Sequence, residues 1–280
     1  MRPIFWAIKP KSYISRTTEW DEFPNGRWGV SRSPAFGEPE TYGSISKRLS
    51  FNFEELKKLY GETISSLADV SKLFVKYLTG EVKKFPFCEG ALQLETQIII
   101  DMLVNMNNNY FLTINSQPKV NGVKSTDPSF GWGPKNGFIY QKAYFEFFIP
   151  RELLEPLTQY LNKHEMITYQ AINFSGDQRK NINDDDVNAV TWGVFKAKEI
   201  IQPTVVDHQA FMIWKDEAFA SWLDQWGVIY GVDSPQFLFL QRCRDNMYLM
   251  NVVDNDYIDG DLNNVIKTFI DENQDLIRSL

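Results

Sequence analysis

The chain has 280 residues, 43% of them hydrophobic, and combines 8 Trp, 12 Tyr and 21 Phe with only 2 His and 2 Cys. The histidines (His164, His208) and cysteines (Cys88, Cys243) lie far apart in sequence. That excludes the clustered ligands of a zinc or iron–sulfur centre, and also a disulfide scaffold. With 29 Lys+Arg against 36 Asp+Glu the formal charge is −7, the wrong sign for a general binder of nucleic acid or anionic membranes, both of which need a basic face. No apolar run approaches the roughly 18 residues of a membrane span, and the opening Met1-Arg2-Pro3-Ile4-Phe5-Trp6 is too short for a secretory signal. A soluble, cytoplasmic protein is expected, and its Pro- and aromatic-rich start reads like the inside of a longer polypeptide.

Pro3, Pro10, Pro24, Pro34 and Pro39 interrupt any helix in residues 1–45 and predict an extended N-terminal arm, followed by one domain over residues 46–280. Asn52-Phe53-Glu54-Glu55 resembles a capping box and predicts a helix over 53–60, with a second over 66–79 ended by Gly80. Leu94, Ile98, Met102 and Met106 recur every four positions and predict a helix over 92–107, stopped by Asn107-Asn108-Asn109. The run Tyr110–Asn115 predicts a strand, 119–137 a loop with four glycines and two prolines, and the aromatic stretch 138–148 a second strand. Pro150 suits the start of a helix reaching about Lys163. Strands near 166–174, 189–195, 237–243 and 246–253 follow, with helices near 215–230 and 262–278, and Asp184-Asp185-Asp186 reads as a surface loop. Helices and strands mix without strict alternation or repeat, so the expected class is α+β: mixed sheets in the core, surrounded by about five or six helices.

Most chemical signatures are missing. No phosphate-binding G-x-x-x-x-G-K-[ST] occurs, and Gly131-Trp132-Gly133-Pro134 has a proline where a dinucleotide-binding helix should begin. Asp254-Asn255-Asp256-Tyr257-Ile258-Asp259-Gly260 places its glycine at position seven, whereas a calcium loop turns at six. Neither cysteine has a nearby histidine, and no G-x-S-x-G is present, so both thiols read as small buried hydrophobes. Trp20-Asp21-Glu22 and Trp214-Lys215-Asp216-Glu217 would suit a glycoside hydrolase, but carboxylates in a turn and at a helix start explain them more simply. Glu95-Thr96 at a helix start, followed by Thr113-Ile114-Asn115-Ser116-Gln117, offers hydroxyl and amide groups to a polar small molecule and a carboxylate to a cation. Ordinary capping accounts for the same pair.

The motifs Trp20-Asp21-Glu22-Phe23-Pro24-Asn25-Gly26-Arg27-Trp28-Gly29, Leu112-Thr113-Ile114-Asn115-Ser116-Gln117-Pro118, Gly131-Trp132-Gly133-Pro134, Gln141-Lys142-Ala143-Tyr144, Asn188-Ala189-Val190-Thr191-Trp192-Gly193, Glu199-Ile200-Ile201-Gln202-Pro203-Thr204, Trp214-Lys215-Asp216-Glu217-Ala218-Phe219 and Val253-Asp254-Asn255-Asp256 occur in this order. The chain thereby resembles the C-terminal regulatory domain of eukaryotic methylenetetrahydrofolate reductases along nearly its whole length. In that family a flavin-containing TIM barrel reduces its folate substrate with a nicotinamide donor, and the regulatory domain binds S-adenosylmethionine and inhibits it.

The resemblance implies that this chain holds no barrel, no catalytic residue, no metal and no cofactor. FAD and NAD(P)H belong to the catalytic barrel of the same polypeptide. S-adenosylmethionine or S-adenosylhomocysteine is the implied effector, and a homodimer the implied assembly. The family's ligand positions carry over to Glu95, Thr96, Thr113, Ile114, Asn115, Ser116, Gln117, Thr191 and Thr204. Many members have two alanines before the Glu-Thr pair and an asparagine upstream, where this chain has Gln93, Leu94 and Cys88. Leu94 either adds bulk to the pocket or, in line with Ile98 and Met102, points to the core. The first arrangement describes a ligand-insensitive dimerisation domain, the second an intact sensor.

Overall fold

A computed structural model describes residues 64–82, 84–85, 88–89, 92, 95–124, 138–182, 189–195, 208–211, 230–256 and 259–280. The expected arm and the helix over 53–60 lie outside the described residues, as does the helix near 215–230 apart from Tyr230.

Helix α1 (Leu67–Leu78) starts where Ser66 and Asp69 cap one another. The Asp69 N–H donates to Ser66 Oγ at 3.2 Å, and the Ser66 N–H donates to the Asp69 carboxylate at 3.0 Å, so two otherwise orphaned amides are satisfied. Strands β1 (Lys84–Phe85) and β2 (Cys88–Glu89) form a short hairpin. A 3-10 turn, Glu95–Ile99, then leads into α2 (Ile100–Asn108).

The helix expected over 92–107 is therefore two pieces. The tighter turn, with three residues per turn rather than 3.6, shifts the buried stripe to Ile99, Leu103 and Met106, while Ile98 is 59% exposed. Ile98 thus leaves the expected core line, while Met102 stays partly buried against the core and Leu94 lies outside the described residues. At the far end of α2, Tyr110 takes the left-handed conformation at φ 66°. The Phe111 N–H reaches the Met106 carbonyl and the Tyr110 N–H the Asn107 carbonyl, the paired bonds of a Schellman cap. The chain leaves the cap directly into β3 (Leu112–Gln117).

The central sheet has five strands in the order β3 (Leu112–Gln117), β6 (Tyr144–Pro150), β11 (Met247–Asp254), β7 (Ile167–Asn173), β8 (Gln178–Lys180). A four-stranded sheet has the order β10 (His208–Phe211), β9 (Ala189–Phe195), β5 (Phe138–Gln141), β4 (Val120–Lys124). All described pairings are antiparallel, so the expected mixed sheets sharpen to antiparallel ones and no TIM barrel is present among the described residues.

Two of the passages between the sheets are short, at 118–119 and at 142–143. The single strand expected over 138–148 is thus β5 in one sheet and β6 in the other, and β4 occupies the start of the expected loop. The Gln117 amide ties the two crossings together by donating to the Lys142 carbonyl at 2.8 Å.

One face of the central sheet presents Phe145, Phe147, Ile149, Tyr169, Ala171, Tyr248, Met250 and Val252 to the helices. It meets α2, α3 (Arg151–Leu161) and α5 (Leu262–Glu272) through Leu103, Met106, Leu153, Leu157, Ile266 and Phe269, all under 3% exposed. Phe111 stands at the centre of this layer, its ring 5.3 Å from Phe147 and 6.1 Å from Phe269, distances at which aromatic pairs add to area burial.

The strand expected over 237–243 is instead helix α4 (Pro235–Asp245). Its aromatic content favours a strand, but Ser234 accepts from the Phe237 N–H at 3.1 Å and Pro235 occupies the first turn, a start signal that overrides it. Helix α6 (Gln274–Arg278) closes the chain after a break at Asn273. Six α-helices and an antiparallel core among the described residues give the α+β class expected from the sequence.

Candidate functional site

Strand β3 forms one edge of the central sheet, next to the 3-10 turn that carries Glu95 and Thr96. Its register against β6 slips between Thr113 and Asn115, leaving Ile114 as a bulge. A bulge resets which side chains share a face. Thr113 lies opposite Phe147 and Ser116 opposite Phe145, so both turn toward the helix layer. Asn115 lies opposite Glu146 and Gln117 opposite Tyr144, so both turn to the other face.

On the helix side the Thr113 and Ser116 hydroxyls are half-buried, and Thr96 is 9% exposed. Thr113 is held by Asn107 of α2, which is wholly buried. The Asn107 amide nitrogen donates to Thr113 Oγ1 at 2.6 Å and to the Leu103 carbonyl at 2.7 Å, while its oxygen accepts from the Thr113 N–H at 3.1 Å. The Ser71 hydroxyl of α1 in turn donates to the Asn107 carbonyl.

On the opposite side the candidate side chains are committed to neighbouring groups of the fold. Asn115 hydrogen-bonds the Glu146 carboxyl, which is 1% exposed and pushed by burial up to about 8. Its second oxygen, Oε2, has no hydrogen-bond partner among the described residues. Gln117, 4% exposed, ties to the crossing described above.

Beside that crossing, burial lowers the Lys142 ammonium to about 8, against the pull of Asp254. Lys142 Nζ donates to Asn255 at 2.7 Å, and Asn255 donates on to Thr168 at 2.9 Å. Burial raises the Asp254 carboxyl. This carboxyl fills the space beside Gly260, where an added Cβ would fall 2.3 Å from its oxygen. That close approach accounts for the glycine of the acidic stretch.

Thr191 lies in β9, paired with Gln209 of β10. Thr204, Gln93 and Leu94 lie outside the described residues, as do the side chains of Glu95 and Cys88, whose backbones form the 3-10 turn and β2. The structure thus turns Thr113 and Ser116 to one face of β3, a strand that lies near the 3-10 turn, and sets Asn115 and Gln117 on the other.

Cys243 is half-buried in α4, and burial pushes its thiol up to about 12, so it is a neutral thiol and a poor nucleophile at neutral pH. Among the described residues no helix is long and apolar enough to cross a membrane. Asn107 and Glu146 carry no motif. Glu146 could have been noticed as the lone charge inside Tyr144-Phe145-Glu146-Phe147-Phe148, whereas Asn107 reads only as a helix stop.

Comparison with known proteins assigns the chain consistently. Residues 1–277 match the family model described as "MTHFR, SAM-binding regulatory domain". The chain is 46% identical over 263 residues to methylenetetrahydrofolate reductase (NADH) 1 of Zea mays, covering 94% of this chain and 44% of that protein. It is 45% identical to the Arabidopsis thaliana protein of the same name, with the same coverage. To methylenetetrahydrofolate reductase 2 of Saccharomyces cerevisiae it is 43% identical over 266 residues, covering 93% of this chain and 44% of that protein. The chain therefore spans under half the length of these relatives. It belongs to the family of SAM-binding regulatory domains of methylenetetrahydrofolate reductase.

Proposed function

We propose that this domain senses S-adenosylmethionine, and S-adenosylhomocysteine at the same place, and transmits occupancy to a flavin-dependent reductase barrel of the same polypeptide. In this reading residues 1–45 form an arm that continues a linker from the barrel, residues 46–280 form the regulatory domain, and the protein works as a cytoplasmic homodimer. FAD and NAD(P)H act in the barrel. The observation that carries the reading is the placement of two half-buried hydroxyls, Thr113 and Ser116, on the face of an edge strand beside the turn of Glu95 and Thr96.

The chemistry suits the effector. Its sulfonium and ammonium are favoured by a nearby carboxylate such as Glu95, and its own carboxylate accepts from hydroxyls. Thr113 and Ser116 contribute side chains, while Ile114, Asn115 and Gln117 contribute the backbone of the strand edge. Thr191 and Thr204 complete the set. Inhibition then requires only that the ligand bind the inhibited arrangement of sensor and barrel more tightly than the active one.

Calorimetry with both ligands tests the reading. A saturable single-site isotherm is expected, and at a ligand concentration of about 100 times the dissociation constant the domain should gain about 2.7 kcal/mol against unfolding. The absence of both heat and thermal shift at millimolar ligand would overturn it.

A further inference from the structure

Asn107 is buried without trace of exposure, yet its side chain takes no part in ending α2, because the Schellman cap, including the Asn107 carbonyl, is built from backbone groups alone. Its side chain instead reaches forward six residues into β3. The orientation of its amide is fixed by its partners. The Leu103 carbonyl can only accept, so it faces nitrogen, and the Thr113 N–H can only donate, so it faces oxygen. The second amide hydrogen then points at Thr113 Oγ1, 2.6 Å away.

A hydroxyl that receives a donor in this way must aim its own hydrogen elsewhere. Thr113 Oγ1 donates to no group among the described residues, and the residue is half-buried on the face beside the 3-10 turn. The Ser71 hydroxyl holds Asn107 from behind through its carbonyl, so α1, α2 and β3 converge on this one hydroxyl.

We propose that Asn107 is a positioning residue: by donating to Thr113 Oγ1 it turns that hydroxyl into an outward hydrogen-bond donor, which makes the site select a ligand bearing a carboxylate at that point. The inference rests on the ligand-sensing reading above and deepens it. It assigns Thr113 the role of donor rather than acceptor, and it assigns the cause to a residue that does not touch the ligand.

The test compares S-adenosylmethionine with its decarboxylated analogue, which keeps the sulfonium and the amine but lacks the carboxylate. Calorimetry is run on the unaltered chain, on Asn107→Ala, on Thr113→Val and on the double variant. The unaltered chain should prefer the carboxylated ligand. Asn107→Ala should reduce that preference roughly tenfold, since a charge-assisted hydrogen bond is at stake, with little change for the analogue. In the Thr113→Val background the same change should cost nothing further.

Asn107→Asp serves as a second variant should the alanine variant melt too low. Its neutral acid can keep the Thr113 N–H and Leu103 partners but has no donor left for Thr113 Oγ1, so the same loss of preference is expected. Equal losses for both ligands, or losses that add to those of Thr113→Val, would overturn the positioning role in favour of a purely structural one. An unaltered chain that binds both ligands equally overturns it as well, and one that binds neither overturns the ligand-sensing reading on which it stands.

Discussion

The two faces of the central sheet both bury apolar side chains, but they accommodate polar ones differently. On the helix side the sheet offers an apolar layer of Phe145, Phe147, Met250 and Val252, interrupted at its β3 edge by Thr113 and Ser116 and toward β8 by Asn173 and Arg179. On the other side a row of polar residues crosses the strands in one register, from Asn115 through Glu146 and Asn251 to Gln170. Asn115, Glu146 and Asn251 are all buried, and Glu146 and Gln170 each keep a buried oxygen without a hydrogen-bond partner among the described residues. Apolar burial stabilises by roughly 25 cal/mol per Å² and tolerates a few hydroxyls at its rim. An orphaned buried acceptor costs about 1–3 kcal/mol. The first face can therefore host an uncommitted hydroxyl, whereas the second holds strain that pH can reach.

The largest effect should come from removing the apolar layer. Phe147→Ala, which empties a wholly buried site touching Phe111, is expected to cost about 3–5 kcal/mol in chemical denaturation. A cost below about 1 kcal/mol would show that the helix layer is not the main core.

Glu146 should supply a pH dependence of a few kcal/mol. Its folded pKa, about 8, lies above its ordinary value of 4.5, so the folded state holds the proton longer than the unfolded one. Its contribution is fully present below pH 4.5 and is lost as pH rises toward 8. Lys142 has the opposite sign. Its folded pKa of about 8 lies below 10.5, so stability recovers as pH rises between those values. Denaturant titrations from pH 5 to 10 should therefore show a minimum near pH 8, and Glu146→Gln should flatten the descending limb. An unchanged limb in that variant would place the titration elsewhere.

Smaller effects attach to the junctions. Gly260→Ala drives a methyl into the Asp254 carboxyl and should cost about 1–3 kcal/mol in thermal unfolding. Gln117→Ala, which frees the buried Lys142 carbonyl from its donor, should cost about 1 kcal/mol. It should leave ligand affinity nearly unchanged if the ligand lies on the helix side.

Some of this organisation was legible in the chain. The helix over 66–79, strand 189–195 and the α+β class follow from local chemistry, because each rests on neighbours in sequence. The helix at Pro235 was misread because Phe237-Leu238-Phe239-Leu240 satisfies strand and helix patterns alike, and only the Ser234-Pro235 start separates them. The split of 138–148 into two sheets, and the bulge at Ile114, are set by pairing with distant strands. Spacing therefore gave the candidate residues 113–117 as one block, where the fold divides their side chains between two faces. Asn107 was hidden for the same reason: its partner is six residues away in a different element.

The most direct test of the account titrates S-adenosylmethionine into the unaltered chain, Thr113→Val and Gln117→Ala under identical conditions. Saturable binding is expected, weakened roughly tenfold by Thr113→Val, as for one hydrogen bond to a charged group, and changed less than about twofold by Gln117→Ala. Equal weakening by both, or loss only in Gln117→Ala, would contradict the assignment of the ligand to the helix-side face of β3.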